Sequence, residues 1–438
     1  MASKTTKTFP LWPVVAGVLG LLSLFLLLRG PRVETREVEK IVEKEVEVSV
    51  EKEVIREVEK IVEVQAPRLA ISSGVELQTT SKGFAFGSKV VLENGELAID
   101  ERRKNDTYRS EHILTVKVPR AAATLSELEK SSPGLGRAFP GLESMVENAV
   151  VSDFFETLYK NKSDRLKKNS AKLGSLLTKH NFFDCQTMLN LRHESGRKVF
   201  LLQGDMDVVS DGSDGDRLPV MPDEIVNSTY YQPTTSYGWA KVGRTPNPLI
   251  SGYEKRLRDA RKELTDPAKT ADRKSWVRGR INDLLVPGIE EMKRRSFLIA
   301  EYDPFIVIPI NIIVDRRDSY GPKVGDYAVV IHKGILYPAI VGDAGPSFKV
   351  GEASLRMARQ IDSRSSSYRR PVNELSVTYL CFPKTAKKPH RPPNYEDIRN
   401  ECERLLNEIG GVGAGEELFR WENTLPGQEV DEAPLLQP

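Results

Sequence analysis

The sequence predicts an α+β chain: a mainly β domain, closed as a barrel and carrying inserted helices, preceded by a transmembrane helix and a stalk. Three observations carry this. An uncharged apolar run lies near the N-terminus, a low-complexity Val/Glu/Lys segment follows it, and short β-prone runs bounded by Gly, Pro and Asp fill residues 181–385.

The first element is "TFPLWPVVAGVLGLLSLFLLL", residues 8–28, which carries no charge. Roughly 20 apolar residues are what a bilayer's hydrocarbon core requires, so residues 1–30 read as a signal anchor. The run is longer than the apolar region of a typical signal peptide, and "RGPR" follows it where a cleavage site would need small residues. Lys4 and Lys7 precede the span and Arg29, Arg32 and Arg36 follow it, so charge does not orient it. Residues 31–66 are the stalk, in which valine returns every fourth position from Val38 to Val62. A period of four drifts about 40° per step around a helix, so the valines spiral instead of forming a heptad seam. A helical and a self-associating extended stalk both fit. A helix would reach roughly 48 Å and an extended chain about twice that.

Residues 67–180 open with "KVVLENGELAI" and "HILTVKV", which read as strands joined by an Asn-Gly turn. Helical periodicity takes over between Thr124 and Leu177. Within 181–385 the strands are "KVFLLQGDMDVV", "PFIVIPINIIV", "YAVVIHKGILYPAIVGD" and "LSVTYLCF", with inserted helices from Tyr253 to Arg295 acting as scaffold or lid. Residues 386–438 hold the rest of a basic proline-rich link, a helix around "YEDIRNECERLLNEIGG" and a disordered tail.

Composition narrows the function. With 64 Lys and Arg against 62 Asp and Glu, the chain has no global basic excess, and nucleic acid is not an expected partner. Cys185, Cys381 and Cys402 are odd in number and widely spaced, which excludes a dense disulfide framework and a CxxC motif while leaving room for one bridge. The five histidines show no ligand spacing, so no metal is assigned, and no cofactor is expected. GxGxxG, Walker A and GxSxG sequences are absent, which removes the strong cues for nucleotide binding and for a serine hydrolase of the elbow type.

The chemistry-bearing candidates are carboxylates. "IVGDAGPSFKVGEAS", residues 340–354, sets Asp343 and Glu352 each directly behind a glycine. Nine residues apart on a helix would put them on nearly opposite sides, so they meet only if a strand end and a loop fold them toward one cleft. Glycosidic hydrolysis generally needs such a pair, although two acids beside a Gly-Pro loop are more often a polar turn. A second cluster, "GDMDVVSDGSDGDR", residues 204–217, contains Asp205, Asp207 and Asp211. As an EF-hand starting at Asp207 it fails at the third and twelfth positions, Val209 and Leu218, which leaves an irregular calcium site, a solvated turn or an anionic groove wall for a cationic ligand. Tyr237, in "STYYQPTTSYGW", offers a flat apolar face, with core packing an equal alternative for each aromatic there.

In order and character, "GDMDVVSDGSDGD", "YYQPTTSYG", "DPFIVIP", "KVGDYAVVIHKGILYPAIVGDAGP" and "KVGEASLRMAR" resemble the fungal-type chitosanases of glycoside hydrolase family 75, over about residues 185–383. The resemblance implies endo-hydrolysis of β-1,4-linked glucosamine polymers with inversion. It places the catalytic carboxylates on Asp343 and Glu352 and substrate contacts on Asp205, Asp207 and Asp211. Val209 and Ser210 stand where the family often has Asp and Cys, which puts those contacts and any local disulfide in question. "GEASLRMARQ" is expected to start a helix at Glu352, and Glu352 is assigned as acid with Asp343 as base. The expected chain is a single-pass hydrolase of the cell membrane whose catalytic part faces outside the cytoplasm. Its partners are a cationic polysaccharide, the lipid bilayer and, through the stalk, other copies of itself. The alternatives are a non-catalytic glycan-binding module on the same fold, or a structural stalked membrane protein.

Overall fold

The fold is described from a computed structural model, which describes residues 76–81, 84–88, 95–105, 116–170 and 182–426. The apolar span and the stalk lie outside these residues, and no described helix is long and apolar enough to cross a membrane. Residues 1–67 and 68–438 are separate units.

The strands are β1 (Glu76–Ser81), β2 (Phe84–Ser88), β3 (Val150–Val151), β4 (Cys185–Arg192), β5 (Lys198–Val209), β6 (Gly238–Ala240), β7 (Arg295–Phe297), β8 (Phe305–Pro309), β9 (Tyr327–His332), β10 (Ile335–Gly345), β11 (Glu352–Ser354) and β12 (Val372–Cys381). Pairing runs β11-β8-β10-β9-β12-β5 and returns from β5 to β11, which closes a six-stranded barrel, and β4 and β3 extend it from β5. The expected barrel is therefore present, with β10–β8 and β11–β5 parallel and the other barrel pairs antiparallel.

Alternation along each strand separates two cores. Every barrel strand sends residues into one of them, among them Leu202, Ile306, Val330, Val341, Ala353 and Tyr379, and side chains fill a barrel of this size. The opposite face, with Leu201, Phe305, Val307, Val329, Ile340 and Leu380, is covered by helices Leu125–Ser131, Leu142–Glu147 and Tyr395–Asn407. The inserted segment folds as helices Ile250–Thr265, Ala271–Arg280 and Val286–Arg294 around its own core, which includes Tyr253, Leu285 and Met292.

Several elements depart from the sequence reading. "PFIVIPINIIV" is a strand only to Pro309, and Ile310–Val314 is helical, since proline cannot extend a ladder but suits a helix start. Helix Ala98–Glu101 occupies the second strand expected in "KVVLENGELAI", the first half of which lies outside the described residues. Residues 116–120 of "HILTVKV" and its flank form no strand. The C-terminal segment stays packed as far as Leu425 because Leu418, Trp421 and Leu425 are buried, and Trp421 donates to the Pro338 carbonyl at 2.8 Å. Residues 427–438 of the expected tail lie outside the described residues. All three cysteines are buried and unpaired, so the one bridge left open does not form.

Candidate active site

The register of β8 brings the two acids of residues 340–354 together. Val307 pairs with Asp343 of β10 on one side and with Glu352 of β11 on the other, and Glu352 pairs in turn with Asp207 of β5. Register partners point to the same face of a sheet, so Asp343, Val307, Glu352 and Asp207 form one row across four adjacent strands. Asp343 owes its direction to a bulge. Val341 pairs with Ile306 and Asp343 with Val307, so Gly342 is the extra residue; in a regular ladder Gly342 would pair with Val307, and Asp343 would fall opposite Ile308 and point to the other face.

The glycines before the acids have separate reasons. At Gly342 a Cβ would lie 2.6 Å from the Phe305 ring. Gly351 has φ +77°, and a Cβ there would lie 2.4 Å from the Asp205 carbonyl. The third glycine of the stretch, Gly345, guards the cleft: a Cβ would lie 2.8 Å from Glu352 Oε2 and 3.0 Å from a Val307 methyl. Gly345→Ala is expected to displace the Glu352 carboxylate, lowering chitosan hydrolysis at least tenfold while unfolding free energy changes by less than about 1 kcal/mol. Parallel urea melts and rate measurements check this.

Glu352 begins a strand, and the helix expected there starts three residues later at Leu355, with Ser354 Oγ accepting from Met357 N at 3.4 Å. The state of Glu352 is therefore governed by side chains. Burial raises its pKa, opposed by Lys349, whose Nζ lies 2.7 Å from Oε1, and Asp207 and Asp343 add to the upward shift. Burial also raises Asp343, against three donors on Oδ1: Ser236 N at 2.8 Å, Ser236 Oγ at 2.6 Å and Ala344 N at 2.8 Å. Asp207 is the opposite case. Burial would raise it, but Lys349 at 2.6 Å and Arg370 at 3.2 Å hold it below the ordinary carboxylate value.

Asp205 is buried, with Arg370 Nη1 3.1 Å from Oδ2, and with Asp207 it lines a cavity of about 290 Å³ between Arg165, Phe348, Lys349 and Arg370. Asp211 lies two residues beyond β5 and accepts from Gln232 N at 3.2 Å. Burial and the charges of Asp343 and Glu352 push its pKa up to about 6, which ties it electrostatically to the pair. Its folded pKa stands above its unfolded value, so its contribution to stability is complete below about pH 4 and is lost as pH rises through about 6. Asp211→Asn should therefore be more stable than the parent by on the order of 2 to 3 kcal/mol at pH 7.5, with no gain at pH 3.5. Chemical denaturation at the two pH values reads this directly.

Tyr237 is not gathered with the acids by its side chain. Its ring stacks on His390, centroids 4.1 Å apart, and its hydroxyl donates to the Arg391 carbonyl at 3.2 Å, in a second cavity lined by the proline-rich link. Its backbone is closer, as Tyr237 N donates to Gly342 O at 2.8 Å and so fixes the bulge and the neighbouring Ser236. The acids of 204–217 are dispersed as well. Asp214 pairs with Arg217 and Asp216 with Lys241, and no group of three metal-ligating side chains occurs among the described residues. Ser236, Lys349 and Arg370 were not singled out from sequence. Lys349 had a readable signal, three positions before Glu352 on a turn, whereas Arg370 is 163 residues from Asp207 and had none.

No curated protein matches the chain. Residues 206–414 match the family model of the fungal chitosanase of glycosyl hydrolase group 75, a span that includes Asp207, Asp211, Tyr237, Asp343 and Glu352 and also the C-terminal helix, which the sequence motifs did not reach. Over these residues the chain is similar to that family, and it is a chitosanase-type glycoside hydrolase.

Proposed function

We propose that Asp343 and Glu352 are the acid/base pair of an inverting endo-hydrolysis of β-1,4-linked glucosamine polymers. The observation that carries this is the shared register partner, Val307. Two inter-strand steps separate the backbones by roughly 9.5 Å. Glu352 Oε2 leans toward Gly345, two residues along β10 from Asp343, or roughly 7 Å. A separation of roughly 6.5 to 9.5 Å leaves room for a water between the acids, as inversion requires. Glu352 donates its proton through Oε2 to the leaving glycosidic oxygen, and Lys349 on Oε1 then stabilises the carboxylate that forms. Asp343 is the base. The three donors on Oδ1 hold its orientation and leave Oδ2 to take the proton of the water that attacks the anomeric carbon from the opposite face. Because Glu352 must be protonated, activity should fall as pH rises through its raised pKa. Proton NMR of a fresh digest tests the stereochemistry: the α-anomer appearing first supports inversion, and the β-anomer first overturns it.

The polymer substrate lies outside the cytoplasm, so the reading extends to a single-pass protein held by residues 8–28, with the barrel on the outer side. Protease added to intact cells should digest the barrel. Protection of the barrel would reverse this orientation.

A further inference from the structure

The inserted helices carry a charge that a cationic substrate does not call for. Residues 253–280 contain ten Lys or Arg against five Asp or Glu, a positive excess of five in a chain whose overall excess is two. Such a face repels a cationic glycan. Among the described residues only Arg273 of these ten has an ion-pair partner, Glu263 at 2.6 Å. The cations are also ordered around rings. On helix Ala271–Arg280, Trp276 is 53% exposed, and the guanidiniums of Arg273 and Arg280 lie 4.3 and 5.7 Å from its ring. On the neighbouring helix Ile250–Thr265, Arg256 lies 4.2 Å over the buried Tyr253 ring. Arg256 Nη1 donates to the Ser228 carbonyl, while its Nε is shut off from solvent with no hydrogen-bond partner. Burial lowers the Arg256 pKa and the charge of Arg280 adds to that shift, so the two guanidiniums are close enough to repel, and neither has an acidic partner among the described residues. A π-helical turn, Ile281–Leu285, follows Arg280 directly, an irregularity that helices frequently keep at functional sites.

We propose that Arg256, Arg273, Trp276 and Arg280 form a second glycan site, separate from the acid pair, that binds an anionic polysaccharide. Both halves of the chemistry match such a polymer: guanidinium forks take carboxylate or phosphate groups as paired hydrogen bonds, and the exposed indole offers a flat apolar face to a sugar ring. An anion joining Arg256 and Arg280 would remove the repulsion between them. A bilayer is a poorer occupant, because helix Ala271–Arg280 exposes no large apolar side chain other than Trp276. The choice of a glycan over nucleic acid rests on the hydrolase reading above: a cationic glycan draws polyanions to itself, and an enzyme that also holds the polyanion is kept at a high local concentration beside its substrate.

The test measures binding of the full chain, in a non-ionic detergent, to fluorescently labelled polygalacturonate by anisotropy, comparing the parent with Trp276→Ala, Arg280→Gln and Arg258→Gln at matched circular dichroism. Arg258 is an exposed cation two residues from Arg256, on the opposite side of the same helix, and serves as the charge control. The parent should bind, with an affinity that falls as salt is added. Trp276→Ala and Arg280→Gln should each weaken binding by at least about tenfold, and Arg258→Gln by less than about threefold. No binding by the parent, or equal losses in all three variants, overturns the site. Tighter binding of the parent to single-stranded DNA than to polygalacturonate overturns its assignment to a glycan. Chitosan cleavage is scored separately: a chain that binds polygalacturonate and leaves chitosan intact keeps the site and removes the hydrolase reading, and one that cleaves chitosan without binding polygalacturonate does the reverse.

Discussion

Glu352→Gln and Asp343→Asn will each lower reducing-end release from soluble chitosan by about 10² to 10⁴-fold, the usual contribution of a general acid or base. The fold should survive both changes, since each replacement keeps the acceptor that its neighbours need. In Asp343→Asn the new amide carbonyl can still accept from Ser236 and Ala344, and in Glu352→Gln it can still accept from Lys349. What each variant loses is the exchangeable proton or the charge that receives one. Rates at matched circular dichroism decide the matter. Either variant retaining more than about a tenth of the parent rate would remove that residue from the chemistry. Loss of activity with chitosan still bound by the variants separates catalysis from binding.

The largest stability effect should come from Arg217, which no catalytic reading uses. Its Nε donates to Asp214 at 2.7 Å, its two terminal nitrogens donate to the two oxygens of Asp303 at 2.8 Å each, and Nη2 also reaches Phe297 O at 3.3 Å. Tyr395 donates to the same Asp303 at 2.8 Å, which links the Gly-rich loop after β5 to the C-terminal helix. Both aspartate side chains are 1% exposed. Removing the guanidinium leaves two buried carboxylates without a cation, so Arg217→Met should cost about 3 to 5 kcal/mol in urea unfolding. Lysine cannot reproduce the planar fork, and Arg217→Lys should lose more than half as much. A loss below about 1 kcal/mol for Arg217→Met would show that the cluster is not the clamp described here.

Two glycine-acid pairs in a β-prone context, read in isolation, describe a polar turn, and the sequence motifs in series raised them to a catalytic pair. Which face Asp343 takes depends on Gly342 being a bulge, and that is a property of the β8 register, set by Ile306 and Val307 on a strand distant in sequence. The assigned environment of Glu352 also changed, since a helix start expected at 352 moved to 355 once residues 352–354 found ladder partners on β5 and β8. Local propensity gave way to long-range pairing.

From sequence alone came the class of the chain, a barrel of short strands with inserted helices, and the acids Asp343 and Glu352. The strands are legible because alternation is local, but only the structure divides "YAVVIHKGILYPAIVGD" into β9 and β10, at Lys333 and Gly334, whose φ of 52° and 79° make a two-residue turn. Tertiary structure alone decided the rest. Asp205 and Asp207, read as part of an anionic wall, are paired with Arg370 and Lys349, whereas among the described residues Asp211 and Asp343 are held by amide and hydroxyl donors without an ion-pair partner. A sequence gives the sign of each charge, but the field at a site depends on which opposite charges lie within a few ångströms and how much water is excluded, and both are fixed only when distant segments close around it.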